Sequence, residues 1–462
     1  CADGPTHPAN LDGYAVAPLG ARTIKTMSES SPLEQSDLSA DEIRDHAEER
    51  GLPSGERSRY PIDDLVGDLE AGARHTQVLG AAGSLRACLL ADLSRRTGRP
   101  IVVLTSSASD ARRLTSDLEL FASGEDEPDL ADRVAHYPEF DVGPYHNASP
   151  DRSLTMERMS TLHALQRDKA PRYTVASVEA AVRKTIPFET MRAWSRHLSI
   201  GDELSNEDLR AYLADAGYTE VPVVEDPGTF AIRGDIIDVF VPGRDHALRL
   251  ERWGDEISEI RTFNAETQRT VEEREDCHLF PVRQELLDDD SLSRARPRIR
   301  ALAEELKLPT KAVREVISDL EAGIHFIGID SLLPALHDQL SNLLDYVPEQ
   351  ALLAVFDPDN VLGNTRDMWE RRQQEYERAR DQEQLYYPPS AYFAAPEDMV
   401  EWVGRAPARI EFRRVAMRSA DDELAFELAE QDHSFEFRAR ANSDVVQIRK
   451  QKRGVEQTVQ QL

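Results

Sequence analysis

The segment Gly80-Ala81-Ala82-Gly83-Ser84-Leu85-Arg86-Ala87 has the layout of a phosphate-binding loop but not its chemistry. Such a loop needs backbone N–H groups that cradle phosphate, a Lys that reaches the β- and γ-phosphates, and a Ser or Thr hydroxyl on Mg²⁺. Arg86 stands at the Lys position, Ala87 at the hydroxyl position, and Leu85 where the glycine before the Lys belongs. A guanidinium fork differs in reach and geometry from an ammonium point charge, and a methyl group ligates no metal. The other half of such a site is an apolar strand ending in Asp-Glu, with one carboxylate near Mg²⁺ and one to polarise water. Leu352–Phe356 runs instead into Asp357-Pro358, so an imino acid replaces the second carboxylate. Asp359 reads as part of a simple turn. Losses at both ends of one pocket predict a degenerate nucleotide site at Gly80, Gly83, Ser84, Arg86, Ala87, Asp357 and Pro358. No catalytic residue, metal site, cofactor or ATPase activity is expected in this chain.

A second set of residues suits binding. Alternation along Ala247–Trp253 puts Leu248 and Leu250 on one face and Arg249, Glu251 and Trp253 on the other. Arg233 likewise lies opposite Phe230 and Ile232. Exposed Arg and Trp are the types most enriched among interface hot spots. Pattern alone equally allows Trp253 to cover the sheet while the arginines pair with nearby acids.

The elements that must position these groups follow from periodicity. Val78-Leu79, a glycine turn, a helix from Leu85 to near Gly98, the apolar run Ile101–Leu104 and a helix over Asp110–Phe121 are the order of a parallel α/β sheet. Tyr173–Ser177 precedes a helix over Val178–Lys184, and Leu352–Phe356 resumes the sheet. Near residue 191 the character changes. Ser205-Asn206-Glu207-Asp208 caps a helix over Leu209–Ala216 that stops at Gly217. Alternating segments follow over Thr229–Phe240, Ala247–Trp253 and Ile257–Phe263, the last two flanking Gly254-Asp255, a hairpin signal. Helices are expected between about Ser291 and Gly323 and over Arg366–Glu383, before the breaker Pro388-Pro389.

Composition narrows the class. The 462 residues are 40% hydrophobic, enough for packed cores in about three domains. No run approaches the ~18 apolar residues of a membrane helix, and Cys1–Lys25 has no apolar signal core. Three widely spaced cysteines argue against a disulfide framework or a structural zinc and fit a reducing cytosol. A soluble cytoplasmic protein is expected. The net charge of −30 repels a phosphate backbone and disfavours direct, strong DNA binding; it fits salt adaptation of the host equally well. Residues 1–60, rich in Ser, Pro, Asp and Glu, read as a disordered leader, with Met27 a plausible start and 1–26 upstream read-through.

A longer block carries a resemblance. Tyr137-Pro138-Glu139-Phe140-Asp141, Pro144-Tyr145, Ser149-Pro150 and Glu157-Arg158 lead into Gly217-Tyr218 and Gly228-Thr229-Phe230. Arg233-Gly234-Asp235-Ile236-Ile237-Asp238-Val239-Phe240, Arg249-Leu250, Gly254-Asp255-Glu256-Ile257, Ile260-Arg261 and Gln268-Arg269 complete it. From about Tyr60 onward the chain resembles the excinuclease-B-like module of the bacterial transcription-repair coupling factors, and is similar to excinuclease B itself. The degenerate ATP motifs, and a stretch Tyr137–Met159 too short and poor in aromatics for the DNA-clamping hairpin of excinuclease B, favour the coupling factors.

The resemblance implies an α/β, P-loop-NTPase-like (RecA-like) sheet domain interrupted by a compact α+β insert. The expected divisions are a leader over 1–60, a helicase-like domain over 61–190 and 282–407, an insert over 191–281, and the start of a truncated following domain over 408–462. It implies a part in transcription-coupled nucleotide excision repair: the insert recruits excinuclease A to stalled RNA polymerase through positions matching Arg233, Arg249 and Trp253. RNA polymerase, DNA, ATP and Mg²⁺ would then be engaged only by the polymerase-binding and translocase domains of an intact parent, an ATP-dependent DNA translocase. The alternative is an active ATP-dependent, damage-verifying or translocating protein like excinuclease B.

Overall fold

Short apolar runs that do not alternate are strands buried on both faces, the pattern of a parallel sheet. The computed structural model describes residues 61–122, 133–380, 384–413 and 433–437, and builds those runs into one such sheet. Its strands are β1 (His75–Leu79), β2 (Ile101–Thr105), β3 (Val134–Tyr137), β4 (Tyr173–Ser177), β13 (Leu352–Phe356), β14 (Arg409–Arg413) and β15 (His433–Glu436). Among the described residues they lie in the order β15-β1-β14-β13-β2-β4-β3, and every pairing is parallel. Ile101 and Val103 face a core with Leu90, Leu93 and Leu118 of the helices Leu85–Thr97 and Ala108–Ala122. Val102 and Leu104, pointing the other way, join a larger core that continues into the insert through Phe230, Ile237, Leu250 and Ile260. The helix Leu85–Thr97 ends at Gly98, whose φ of +65° suits a residue without a Cβ.

Residues expected to open a following domain sit inside this sheet. β14 lies between β1 and β13, with Ile410 and Phe412 fully buried, and β15 pairs with the other edge of β1. The alternating charges of Arg-Ile-Glu-Phe-Arg disguise a central strand. Glu411 is buried, but Arg409, Arg413 and His75 pair with it at 3.2, 3.0 and 3.2 Å, which makes its burial tolerable. The leader 1–60 and residues 414–432 and 438–462 lie outside the described residues.

The insert comprises β5 (Arg196–Ser199), β6 (Thr219–Glu220), β7 (Thr229–Arg233), β8 (Ile236–Phe240), β9 (Ala247–Trp253), β10 (Glu256–Phe263), β11 (Thr270–Arg274) and β12 (Asp276–Leu279). β6 to β11 form a six-stranded sheet in sequence order, antiparallel except at β6–β7, and β5 pairs with β12. The segment Thr229–Phe240, expected as one run, is a hairpin turned by Gly234-Asp235, where Gly234 takes φ +63°. Ser205 caps the helix Asn206–Asp215 by accepting the N–H of Asp208 at 3.0 Å. The charged helix runs over Pro358–Ala379 and starts earlier than expected, because Pro358 serves as its first residue. No helix among the described residues is long and apolar enough to cross a membrane.

Candidate functional site

The outer face of the six-stranded sheet gathers Arg233, Arg249 and Trp253. Register sets the arrangement: Arg249 stands opposite Asp238 on β8 and Arg261 on β10. Asp238 has no exposed side-chain surface. Arg249 donates to it twice, Nε to Oδ1 at 2.7 Å and Nη2 to Oδ2 at 2.9 Å, and Arg233 donates to the same carboxylate. The Arg249 guanidinium also lies over the Phe263 ring, 4.4 Å from its centroid. Phe263 belongs to a small cluster with Ala231, Phe240 and Ala247 that lies on this same face, beside the arginines.

Strand alternation holds, but the exposure it implies for Arg249 does not. Its side chain is only 19% exposed, against 47% for Arg233, because the buried acid draws it down. Trp253 is the opposite case at 87% exposed, and Ile236 on the neighbouring strand is exposed too. Trp253 therefore does not cover the sheet. Two arginines share one carboxylate, which leaves this part of the face cationic. Farther along, Arg261 pairs with Glu251 and, at 3.3 Å, with Glu259.

Sequence reasoning misses Asp238 as a site residue, although its signal is present. It lies five residues after Arg233 in the hairpin Arg-Gly-Asp-Ile-Ile-Asp, where a two-residue turn folds the partner strand back into reach.

The glycine loop lies at the C-terminal end of β1, as a phosphate loop would. Arg86 fills its space. Its Nη2 donates to Asp357 Oδ2 at 3.1 Å, its Nε to the Ala81 carbonyl at 3.0 Å, and the guanidinium lies 4.9 Å from the Phe356 ring centroid. Both partners of the ion pair are largely buried. Arg86 and Asp357, the expected two ends of a nucleotide site, thus neutralise each other, the Asp357 carboxylate being bonded to the protein's own cation. Asp359 pairs with Arg413 at 2.8 Å.

The loop backbone is also engaged. The Arg86 N–H donates to the Gly83 carbonyl and the Cys88 N–H to that of Ser84, while Ala87 is fully buried. A Cβ at Gly80, where φ is +76°, would collide with the Phe437 carbonyl oxygen, so the chain leaving β15 closes directly on the loop. Asp357 is one of few described non-glycine residues with positive φ, at +51°, a strained hinge between strand and helix. Among the described residues no group of three His, Cys, Asp or Glu side chains is arranged to hold a metal.

Comparison with known proteins follows the same lines. Residues 197–284 match the family described as the UvrB interaction domain. The chain is 34% identical over 351 residues to the transcription-repair-coupling factor of Myxococcus xanthus, covering 74% of this chain and 29% of that protein. It is 26% identical over 300 residues to the Escherichia coli factor, covering 64% and 24%. It is 27% identical over 342 residues to UvrABC system protein B of Bacillus licheniformis, covering 69% and 51%. The chain therefore spans less than a third of the length of the coupling factors that it matches.

Proposed function

We propose that this relative of the transcription-repair coupling factors and of UvrABC system protein B is a protein-binding module of transcription-coupled excision repair, whose insert recruits excinuclease A. The observation that supports this most is Trp253, exposed at the end of a strand whose neighbouring arginines are held in place by Asp238. An exposed indole is costly to leave in water and gives a large rigid anchor to a partner. The arginines beside it are pre-ordered, so little side-chain entropy is lost when they meet carboxylates across an interface. The match of residues 197–284 to the UvrB interaction domain covers this whole face.

In this reading the Gly80 loop is a structural joint. The Arg86–Asp357 pair takes the place of phosphate and metal, and the chain hydrolyses no ATP. Contact with RNA polymerase, and ATP- and Mg²⁺-dependent movement on DNA, belong to other domains of a coupling factor.

The test is site-specific photo-crosslinking. A photoreactive side chain at position 253 should capture excinuclease A from the same organism, while one at Ile327, also well exposed but outside the insert, should not. Equal capture at both positions, or none at 253, would overturn the assignment.

A further inference from the structure

The row of residues that crosses the sheet at Trp253 is acidic. Trp253 stands directly opposite Glu256 on β10, and Glu256 stands opposite Glu203, which bridges to β10 from the segment after β5. Residues directly opposite on antiparallel strands send their side chains to one face, with Cβ atoms roughly 5 Å apart. The indole and the two carboxylates therefore share one surface, and all three residues are exposed.

Two glutamates opposite each other weaken a sheet, because like charges at that spacing repel. Among the described residues no cation pairs with either of them. Arg196, on the strand leading to Glu203, lies over the Tyr212 ring, 3.9 Å from its centroid. Arg252 is buried, donates to the Leu204 carbonyl at 2.6 Å and forms its ion pair with Asp255 at 3.6 Å. Arg261 is divided between Glu251 and Glu259. The end of the face that carries Trp253 thus has a surplus of negative charge. The other end, where Arg233 and Arg249 share Asp238, has a surplus of positive charge. Local rules of sheet pairing are broken where binding, not folding, sets the residue.

We propose that Glu203 and Glu256 receive a cationic patch of the protein partner, while Trp253 anchors the centre and Arg233 meets a carboxylate on the far side. The inference rests on the reading of Trp253 as a partner anchor, and adds the chemistry that the partner must present. Charge complementarity and continuity carry it, since both glutamates lie in register with the indole. A face with opposite charges on its two sides admits a partner in one orientation, because the reversed one sets like charges together. A cation placed against the glutamates also relieves a repulsion that the free chain bears.

The test is the association rate of the full chain with excinuclease A from the same organism, at ~50 mM and ~500 mM salt, where screening is weak and strong. Glu203→Gln/Glu256→Gln should slow association roughly fivefold at low salt and hardly at high salt, because rim charges act on approach. Glu304→Gln/Glu349→Gln, which removes two exposed acids outside the insert, should leave the rate unchanged. Alone, the Glu203/Glu256 variant should melt above the unsubstituted chain, the repulsion being gone. Unchanged or faster association in that variant would overturn the inference while leaving the role of Trp253 standing. Equal slowing by both double variants would do the same, by assigning the effect to net charge. A fall in the melting temperature would show that the glutamates serve the fold and would also overturn it. Absence of binding by the unsubstituted chain would remove the reading of Trp253 and this inference with it.

Discussion

Arg249 closes two hydrogen bonds on Asp238, at 2.7 and 2.9 Å, although Asp238 has no exposed side-chain surface. A carboxylate out of water is tolerable only when paired. Arg249 therefore holds the hairpin sheet together, with 19% of its side chain left exposed. Arg233 shares the acid but remains about half exposed.

The two arginines should separate in stability measurements. Arg249→Ala should lower the unfolding free energy by about 2 kcal/mol, less than the loss of a fully buried pair because Arg233 still reaches Asp238. Arg233→Ala should cost under about 1 kcal/mol, as for an exposed ion pair. Urea melts of the two variants check this; equal losses would show that Asp238 does not distinguish them. A drop in partner binding by Arg249→Ala thus has to be read against its stability.

Arg86 fixes the second expectation. Mg²⁺ and ATP should produce neither turnover nor a rise in melting temperature, because the cation of Arg86 already occupies the carboxylate of Asp357. Arg86→Ala should reduce stability by about 1–2 kcal/mol through the lost pair. Mg²⁺-dependent hydrolysis that disappears in Arg86→Ala would contradict the account.

Much of this is legible in the sequence, for identifiable reasons. The parallel strands announce themselves as unalternating apolar runs, and Gly254-Asp255 marks its hairpin. The missing Lys, hydroxyl and second carboxylate can be read at Arg86, Ala87 and Pro358. What cannot be read is pairing across distance. Arg86 and Asp357 are 271 residues apart, so spacing carries no sign that they neutralise each other. Glu411 hides a central strand for the same reason: its partners His75, Arg409 and Arg413 are assembled only by the sheet. Alternation places Arg249 on the outer face correctly, but a period of two cannot report that an acid on the next strand draws it inward.

Two acids, one buried and one half-buried, give a pH dependence. Burial, with Asp330 nearby and Arg283 opposing, pushes the Glu285 carboxyl up to about 7. Burial likewise pushes Asp330 up to about 6, with Arg183 opposing. A carboxyl whose pKa is higher in the folded chain binds its proton more readily there. Its contribution is full below the ordinary carboxylate range and is lost as pH rises through the folded value. Stability should therefore fall between about pH 4.5 and 7 on account of these groups. Glu285→Gln should remove part of that slope and melt above the unsubstituted chain at about pH 8, but not at about pH 5. Thermal melts across this range decide it; an unchanged slope in Glu285→Gln would contradict the assignment.

The binding claim rests on Trp253, and its exposure makes it the cleanest probe. Truncating a true interface anchor costs about 2 kcal/mol or more, roughly 30-fold in affinity. Removing a side chain that is 87% exposed should leave the fold intact. The decisive measurement is a calorimetric titration of the chain and its Trp253→Ala variant against excinuclease A from the same organism. The account predicts saturable binding by the unsubstituted chain, a loss of roughly 30-fold or more in the variant, and matching urea midpoints for both. Unchanged affinity in Trp253→Ala would place the partner face elsewhere and contradict it.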